Sequence, residues 1–99
     1  MLVKIGGVKN KMNPSTQQKT KEVYHRFGQS VRTIRRAYDM SQAELAKRAG
    51  MNKTYIVRIE SGDNNVTLKT AQRVACALDV ELTTLLHGVV MTVELDATR

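Results

Sequence analysis

The segment SQAELAKRAGMNKTYIVRIESG, residues 41–62, constrains the fold more than any other part of the chain. Ser41 followed three positions later by Glu44 has the spacing of a reciprocal capping box at the start of a helix. Gly50 can adopt the left-handed conformation that ends a helix, and Asn52 can cap a second one. The segment therefore predicts two short helices joined by a tight turn.

The second of these helices has two chemically different faces. Ile56 and Ile59 predict its inward face, and Gly62 ends it. The outward positions carry basic, polar and small apolar side chains, namely Lys53, Thr54, Val57 and Arg58. A basic, polar helix that follows another helix after a tight turn is the element that enters a DNA major groove.

Apolar residues at helical spacing predict three further helices. The first covers about residues 20–38, with a stripe formed by Val23, Phe27, Val31, Ile34 and Tyr38. Thr67 can cap a fourth helix over residues 68–78, and a short fifth helix covers residues 82–86. The inward positions of the fourth are Leu68, Ala71, Val74, Ala75 and Leu78. We therefore expect an all-α, five-helix bundle, which suits a composition with only 4% aromatic residues.

The two ends of the chain differ from its centre. We divide the chain into an N-terminal arm (1–19), a helical domain (20–88) and a tail (89–99), with a turn at Asn13-Pro14-Ser15 in the arm. In the tail, apolar residues alternate with polar ones and predict a short β-strand, its apolar positions being Met91, Val93 and Leu95. A lone strand needs a partner for its backbone groups, either residues 2–8 or the tail of a second subunit. We favour a two-fold sheet between subunits; the alternative is a disordered tail.

Charge and cysteine content narrow the function. The net charge is +7, and residues 1–78 hold 15 of the 16 Lys/Arg residues against 5 of the 9 Asp/Glu residues, which suits a polyanionic partner. Cys76 cannot form an intramolecular disulfide, and we expect it to be buried in a reduced, cytoplasmic protein. His25 and His87 lack metal-site spacing, Cys76 has no identifiable base, and there is no glycine-rich phosphate loop, so we expect no metal, no cofactor and no catalysis.

Many residues at fixed offsets resemble the lambda-repressor-like (XRE-type) helix-turn-helix family. They lie within about residues 23–86 and comprise Phe27-Gly28, Val31-Arg32, Ile34-Arg35, Met40-Ser41-Gln42, Leu45-Ala46, Gly50, Tyr55-Ile56, Ile59-Glu60 and Gly62. The resemblance implies a DNA-binding transcription regulator whose second and third helices face double-stranded DNA.

The resemblance also implies roles for individual residues. Base contacts fall to Lys53, Thr54, Val57 and Arg58, and phosphate contacts to Gln42, Asn52, Tyr55, Asn64 and Asn65. Glu60 is expected to pair with an arginine of the first helix, either Arg35 or Arg32. A homodimer interface is expected at the fifth helix and the tail, formed by Leu82, Leu85, Leu86, Met91, Val93 and Leu95.

Two functions remain open on these residues. One is a dimeric repressor or other regulator that reads a palindromic operator, as in a phage regulator or a restriction–modification controller. The other is an antitoxin that binds a toxin protein and represses its own operon. A non-DNA adaptor is disfavoured because Lys53, Thr54 and Arg58 keep the outer face of the helix basic and polar.

Overall fold

The computed structural model describes residues 14–87, and within them all the regular elements are helices. Four of them are α1 (Pro14–Ala37), α2 (Gln42–Ala49), α3 (Lys53–Ser61) and α4 (Leu68–Leu78). The described part of the fifth, α5, covers residues 82–87. The predicted all-α, five-helix architecture is confirmed. The predicted tail strand and the first 13 residues of the arm lie outside the described residues.

The start of α1 differs from the prediction. The sequence predicts a turn at Asn13-Pro14-Ser15 and a helix from about Thr20, but α1 begins at Pro14 and has 24 residues. Proline is tolerated in the first turn of a helix because the N–H group that it lacks has no intrahelical acceptor there. Residues 14–19, predicted as the end of the arm, therefore form the first turns of a helix about 36 Å long. Among the described residues, no helix is long and apolar enough to cross a membrane.

Local capping fixes the boundaries of α2, α3 and α4, as the sequence predicts. Ser41 Oγ accepts a hydrogen bond from the Glu44 backbone N–H at 3.0 Å, and Asn52 Oδ1 accepts one from that of Tyr55 at 2.8 Å. Thr67 does the same for α4. Gly50 and Gly62 end α2 and α3 at φ values of 70° and 81°, where a side chain is strained.

The predicted capping box is only half formed. The Glu44 carboxylate accepts a hydrogen bond from Arg48 Nε at 2.8 Å, one turn further along α2, and does not reach back to Ser41. Glutamate four residues before arginine is the favourable orientation of such a pair on a helix surface. The hydrogen bond from Arg48 lowers the pKa of Glu44 below its ordinary value.

The core lies between α1 and the other four helices. Its members are mostly aliphatic: Phe27, Val31, Met40, Leu45, Ala46, Ile56, Ile59, Ala71, Val74, Ala75, Leu78 and Leu85. Three residues predicted to lie on an inward face are exposed, and the first is Tyr38, which follows the end of α1 and is 52% exposed. Leu68 is 72% exposed because it occupies the first position of α4, where the helix starts at the surface. Cys76 is exposed because position 76 falls opposite the buried face of α4.

A glycine sets the distance between α1 and α3. A Cβ atom at Gly28 would lie 2.3 Å from the Ile59 carbonyl oxygen and 2.7 Å from that of Glu60. Since these neighbours are backbone atoms, they cannot move aside as the end of a flexible side chain can. Gly28 therefore allows the C-terminal half of α3 to lie directly against α1, which fixes the face that α3 presents to solvent.

Candidate nucleic-acid interface

The outward face of α3 brings together the four side chains predicted to contact bases. Ile56 and Ile59 have no exposed surface and anchor α3 in the core. The opposite side of the helix is exposed and carries Lys53, Thr54, Val57 and Arg58. This face combines cationic and hydroxyl donors with one apolar contact, which is the chemistry that distinguishes bases in a major groove.

A buried ion pair attaches α3 to α1. Arg35 Nε donates to Glu60 Oε2 at 2.6 Å and Arg35 Nη2 donates to Glu60 Oε1 at 3.0 Å, while the two residues are only 7% and 4% exposed. The sequence allows either Arg35 or Arg32 as the partner of Glu60. In the structure the partner is Arg35, and Arg32 is exposed. The hydrogen bonds that Arg35 donates to Glu60 raise the pKa of Arg35 above its ordinary value.

The same pair extends to α2 and to the turn before it. Arg35 Nη1 donates to the Met40 carbonyl oxygen at 2.7 Å, and Gln42 Nε2 donates to Glu60 Oε1 at 3.0 Å. One carboxylate thus joins α1, the first residue of α2 and the last turn of α3. A network of this kind fixes the angle between the helices because every polar group in it has a partner.

The N-terminus of α2 has backbone N–H groups that make no helical hydrogen bond and can bind an anion. The first hydrogen bond of this helix runs from the Leu45 N–H to the Ser41 carbonyl oxygen, so the backbone N–H groups of Gln42 and Ala43 precede the helical ladder. Such groups, together with the helix dipole, bind phosphate. Because the Gln42 side chain is engaged by Glu60, its backbone N–H is the part best placed for the predicted phosphate contact.

The other predicted phosphate contacts lie around the two ends of α3. Asn52 is exposed and uses its side-chain oxygen as the cap of α3, which leaves its amide N–H₂ directed to solvent. Tyr55 is half-buried and packs against the core. Asn64 is half-buried and Asn65 exposed in the loop after α3. All of them lie within four residues, along the chain, of an end of α3.

Arg73 of α4 has a position that the sequence does not indicate. Its Nη2 atom donates to the carbonyl oxygens of Ala49 and Gly50, each at 2.9 Å. These are the terminal carbonyls of α2, where the negative end of the helix dipole favours a cation. Arg73 therefore fixes the turn between α2 and α3. No local signal marks it, because its partners are 24 and 23 residues away.

The leucines predicted for a dimer interface divide into two groups. Leu85 has no exposed surface and belongs to the core, so it cannot contact a second chain in this conformation. Leu82 and Leu86 are half-buried at the edge of the core and keep accessible surface. Met91, Val93 and Leu95 lie outside the described residues.

Comparisons with known proteins agree with this geometry. The helix-turn-helix family model HTH_3 matches residues 31–85, from the last two turns of α1 into α5. The control protein C.BamHI of Bacillus amyloliquefaciens is 43% identical over 56 residues, which is 56% of this chain and 69% of that protein. The control protein C.SmaI of Serratia marcescens is 38% identical over 60 residues, or 61% of this chain and 71% of that protein.

Structural comparison gives a similar result. The restriction-modification controller protein C.AhdI from Aeromonas hydrophila superimposes with a TM-score of 0.61 and 37% identity, covering 63% of this chain and 94% of that one. By sequence, the immunity repressor protein of Bacillus phage phi105 is also similar, with 33% identity over 55 residues, 56% of this chain and 38% of the repressor. The matched family span includes all the described residues predicted to contact bases or phosphates.

Proposed function

Because the chain belongs to the helix-turn-helix family HTH_3, whose members are DNA-binding transcription regulators and not enzymes, we propose that it is a dimeric cytoplasmic regulator that reads a palindromic operator with α3. The observation that most strongly supports α3 as the DNA-reading helix is its exposed basic face. The buried Arg35–Glu60 pair on another side of α3 attaches the helix to α1. Four exposed residues on that face have side chains suited to base edges.

Each of these side chains has a distinct task in the proposal. Arg58 donates two hydrogen bonds to a guanine, a contact worth about 1–3 kcal/mol of discrimination against another base. Lys53, in the first turn of α3, donates to a base or a phosphate. Thr54 offers a hydroxyl group, and Val57 contacts a thymine methyl group.

Phosphate contacts orient the domain on the duplex without specifying sequence. We assign them to the backbone N–H of Gln42 at the start of α2 and to four polar side chains around the ends of α3, those of Asn52, Tyr55, Asn64 and Asn65. This electrostatic part of the affinity falls as salt concentration rises, whatever the sequence bound.

A dimer doubles the number of base pairs read, and its two-fold axis requires a palindromic site with half-sites about one helical turn apart. In the proposal, Leu82 and Leu86 supply its helical part because both keep accessible surface at the edge of the core. The tail supplies a β-strand through Met91, Val93 and Leu95.

The regulated genes are suggested by the names of the relatives. C.BamHI and C.SmaI are named control proteins, and C.AhdI is described as a restriction-modification controller. We therefore propose control of restriction–modification genes, including the promoter of this chain's own gene. The names favour this role over the antitoxin role, which requires a toxin partner.

A binding titration tests the proposal. Fluorescence anisotropy is measured with labelled DNA from the gene's own promoter and with a scrambled duplex, at two salt concentrations, for the unmodified protein and Arg58→Ala. We expect tight binding to the promoter alone, weakened about 5- to 150-fold in the variant, as a loss of about 1–3 kcal/mol implies. Equal, salt-sensitive binding of both duplexes, unchanged by Arg58→Ala, would contradict it.

The oligomeric state needs a separate measurement. Sedimentation velocity is run on the full chain, on Leu82→Glu/Leu86→Glu and on a chain ending at residue 88. We expect a dimer for the full chain and a shift toward monomer in both variants. A monomer at all concentrations would contradict the dimer, and a complex with a protein encoded beside the gene would favour the antitoxin role.

A further inference from the structure

A row of basic residues runs along α1 outside the interface described above. Lys21, His25, Arg32 and Arg36 are all exposed, and their spacings of four, seven and four residues place them on one line along the helix. We call this row the α1 stripe. At 1.5 Å per residue it is about 22 Å long.

Contacts between α1 and α3 show where the α1 stripe faces. The Cα atom of His25 lies 2.8 Å from the position of a Cβ on Gly62, at the end of α3. Gly28 touches the backbone of α3 one turn later, and Arg35 reaches Glu60 after two more. The α1 stripe thus lies beside the line of contact with α3.

Helical geometry shows on which side of this contact line the α1 stripe lies. Successive residues are about 100° apart around a helix, so the core residues Phe27 and Val31 and the stripe lie on opposite sides of the line through Gly28 and Arg35. On α3, the residues on the side away from the core are the exposed ones. The α1 stripe therefore borders the outward face of α3 and continues its basic surface along α1.

Among the described residues, the cations of the α1 stripe differ from three other arginines in their lack of ion pairs. Within residues 17–87, Arg26 pairs with Glu22, Arg48 with Glu44, and Arg35 with Glu60. Among these residues, no carboxylate pairs with Lys21, Arg32 or Arg36. The unpaired cations of α1 thus lie beside the proposed DNA-reading helix, and Arg26 on another face is neutralised.

We propose that the α1 stripe binds phosphates of double-stranded DNA that flanks the bases read by α3. The inference rests on the proposed function and extends it to a contact surface of α1. Its physical basis is the length of α1: the Cα of His25 meets the end of α3 at Gly62, so Lys21, one turn earlier, lies beyond the end of α3 and about 16 Å along α1 from Arg32. Cations at that distance reach backbone outside a half-site and add affinity without adding sequence preference.

The salt dependence of binding gives the expected magnitude. Each phosphate contact contributes about 0.9 to the slope of log K against log salt concentration. The loss of one contact therefore removes about a 3.5-fold change in affinity between 50 and 200 mM salt. Three lost contacts in each subunit change the slope several times more than the error of a titration.

The experiment compares two promoter duplexes, one limited to the footprinted operator and one extended by about ten base pairs on each side, one further helical turn. The test variant is Lys21→Gln/Arg32→Gln/Arg36→Gln. The control, Arg26→Gln/Lys47→Gln/Arg48→Gln, removes the same charge from exposed positions outside the stripe. Circular dichroism checks that both variants fold.

We expect the unmodified protein and the control to bind the extended duplex more tightly and with a steeper salt slope than the short one. In the stripe variant the two duplexes become equivalent, and the preference for promoter over scrambled DNA is kept. An extended-duplex advantage that survives in the stripe variant, or that falls equally in the control, overturns the proposal. If the unmodified protein prefers the promoter without any effect of the flanks, the stripe proposal fails alone. If it shows no promoter preference, the proposed function fails as well.

Discussion

Replacing Arg35 by methionine tests whether the Arg35–Glu60 pair fixes the fold around α3. The change removes both hydrogen bonds to Glu60 and the one to the Met40 carbonyl, and leaves Glu60 with only the bond from Gln42. Removing one partner of a buried ion pair costs about 3–5 kcal/mol, because the other charge stays buried without compensation. A domain of this size is stable by about 5–15 kcal/mol, so the loss is a large part of the total.

Proton uptake limits this cost and makes it depend on pH. Protonating an ordinary glutamate costs about 1.36 kcal/mol per pH unit above ~4.3, or about 3.7 kcal/mol at pH 7 and about 1 kcal/mol at pH 5. In the variant, the folded state then holds a proton that the unfolded chain lacks, so stability rises as pH falls over this range. The unmodified protein gains no such term from Arg35: its pKa is raised in the folded state, so the stabilisation is complete below the pKa of the unfolded chain and is lost only as pH rises through the folded value, far above neutral pH.

The assay is urea unfolding followed by circular dichroism at fixed protein concentration, at pH 7 and pH 5. We expect Arg35→Met to lose about 3–5 kcal/mol at pH 7 and to recover most of it at pH 5 relative to the unmodified protein. The double variant Arg35→Met/Glu60→Leu leaves no buried charge and is expected near or above the original stability. A loss below about 1 kcal/mol for the single variant, or an equally unstable double variant, would show that the buried charge of Glu60 does not depend on Arg35.

Three further changes test separate parts of the structure. Gly28→Ala forces a methyl group against the Ile59 carbonyl oxygen, so we expect a loss of about 1–3 kcal/mol in thermal unfolding; an unchanged Tm would show that α1 and α3 separate easily. Asn52→Ala removes the cap of α3 and should cost about 1 kcal/mol in urea, with Asn52→Asp keeping most of it; equal losses would exclude capping as the cause. Glu44→Gln removes the carboxylate whose pKa is lowered by the hydrogen bond from Arg48; the stabilisation supplied by this pair is present above pH 4.5 and lost as pH falls. The variant should therefore lose less stability on acidification, and parallel pH profiles would rule that out.

The central helices are predictable because their signals are local. Ser41, Asn52 and Thr67 cap the next turn through their own side chains, and Gly50 and Gly62 end helices through their own backbone conformation. The outward face of α3 follows from the positions of the apolar residues. These features need no knowledge of the rest of the fold.

The features that the sequence does not reveal depend on distant contacts or on an ambiguous signal. Pro14 is compatible with a turn or with the first position of a helix, and the sequence alone favours the wrong one. The helical period cannot tell whether Leu68, at the start of its helix, is covered by another element. Gly28 and Arg73 contact backbone atoms of segments that are distant in sequence. The residues next to them in the sequence therefore do not indicate these roles.

The most direct test of α3 as the sequence-reading element is selection of binding sites from a randomised DNA library by the unmodified protein and by Arg58→Ala. We expect the unmodified protein to enrich a palindrome with a guanine at a fixed position in each half-site, and Arg58→Ala to lose the preference at that position alone. Enrichment of no sequence, or of the same sequence by both proteins, would contradict this expectation.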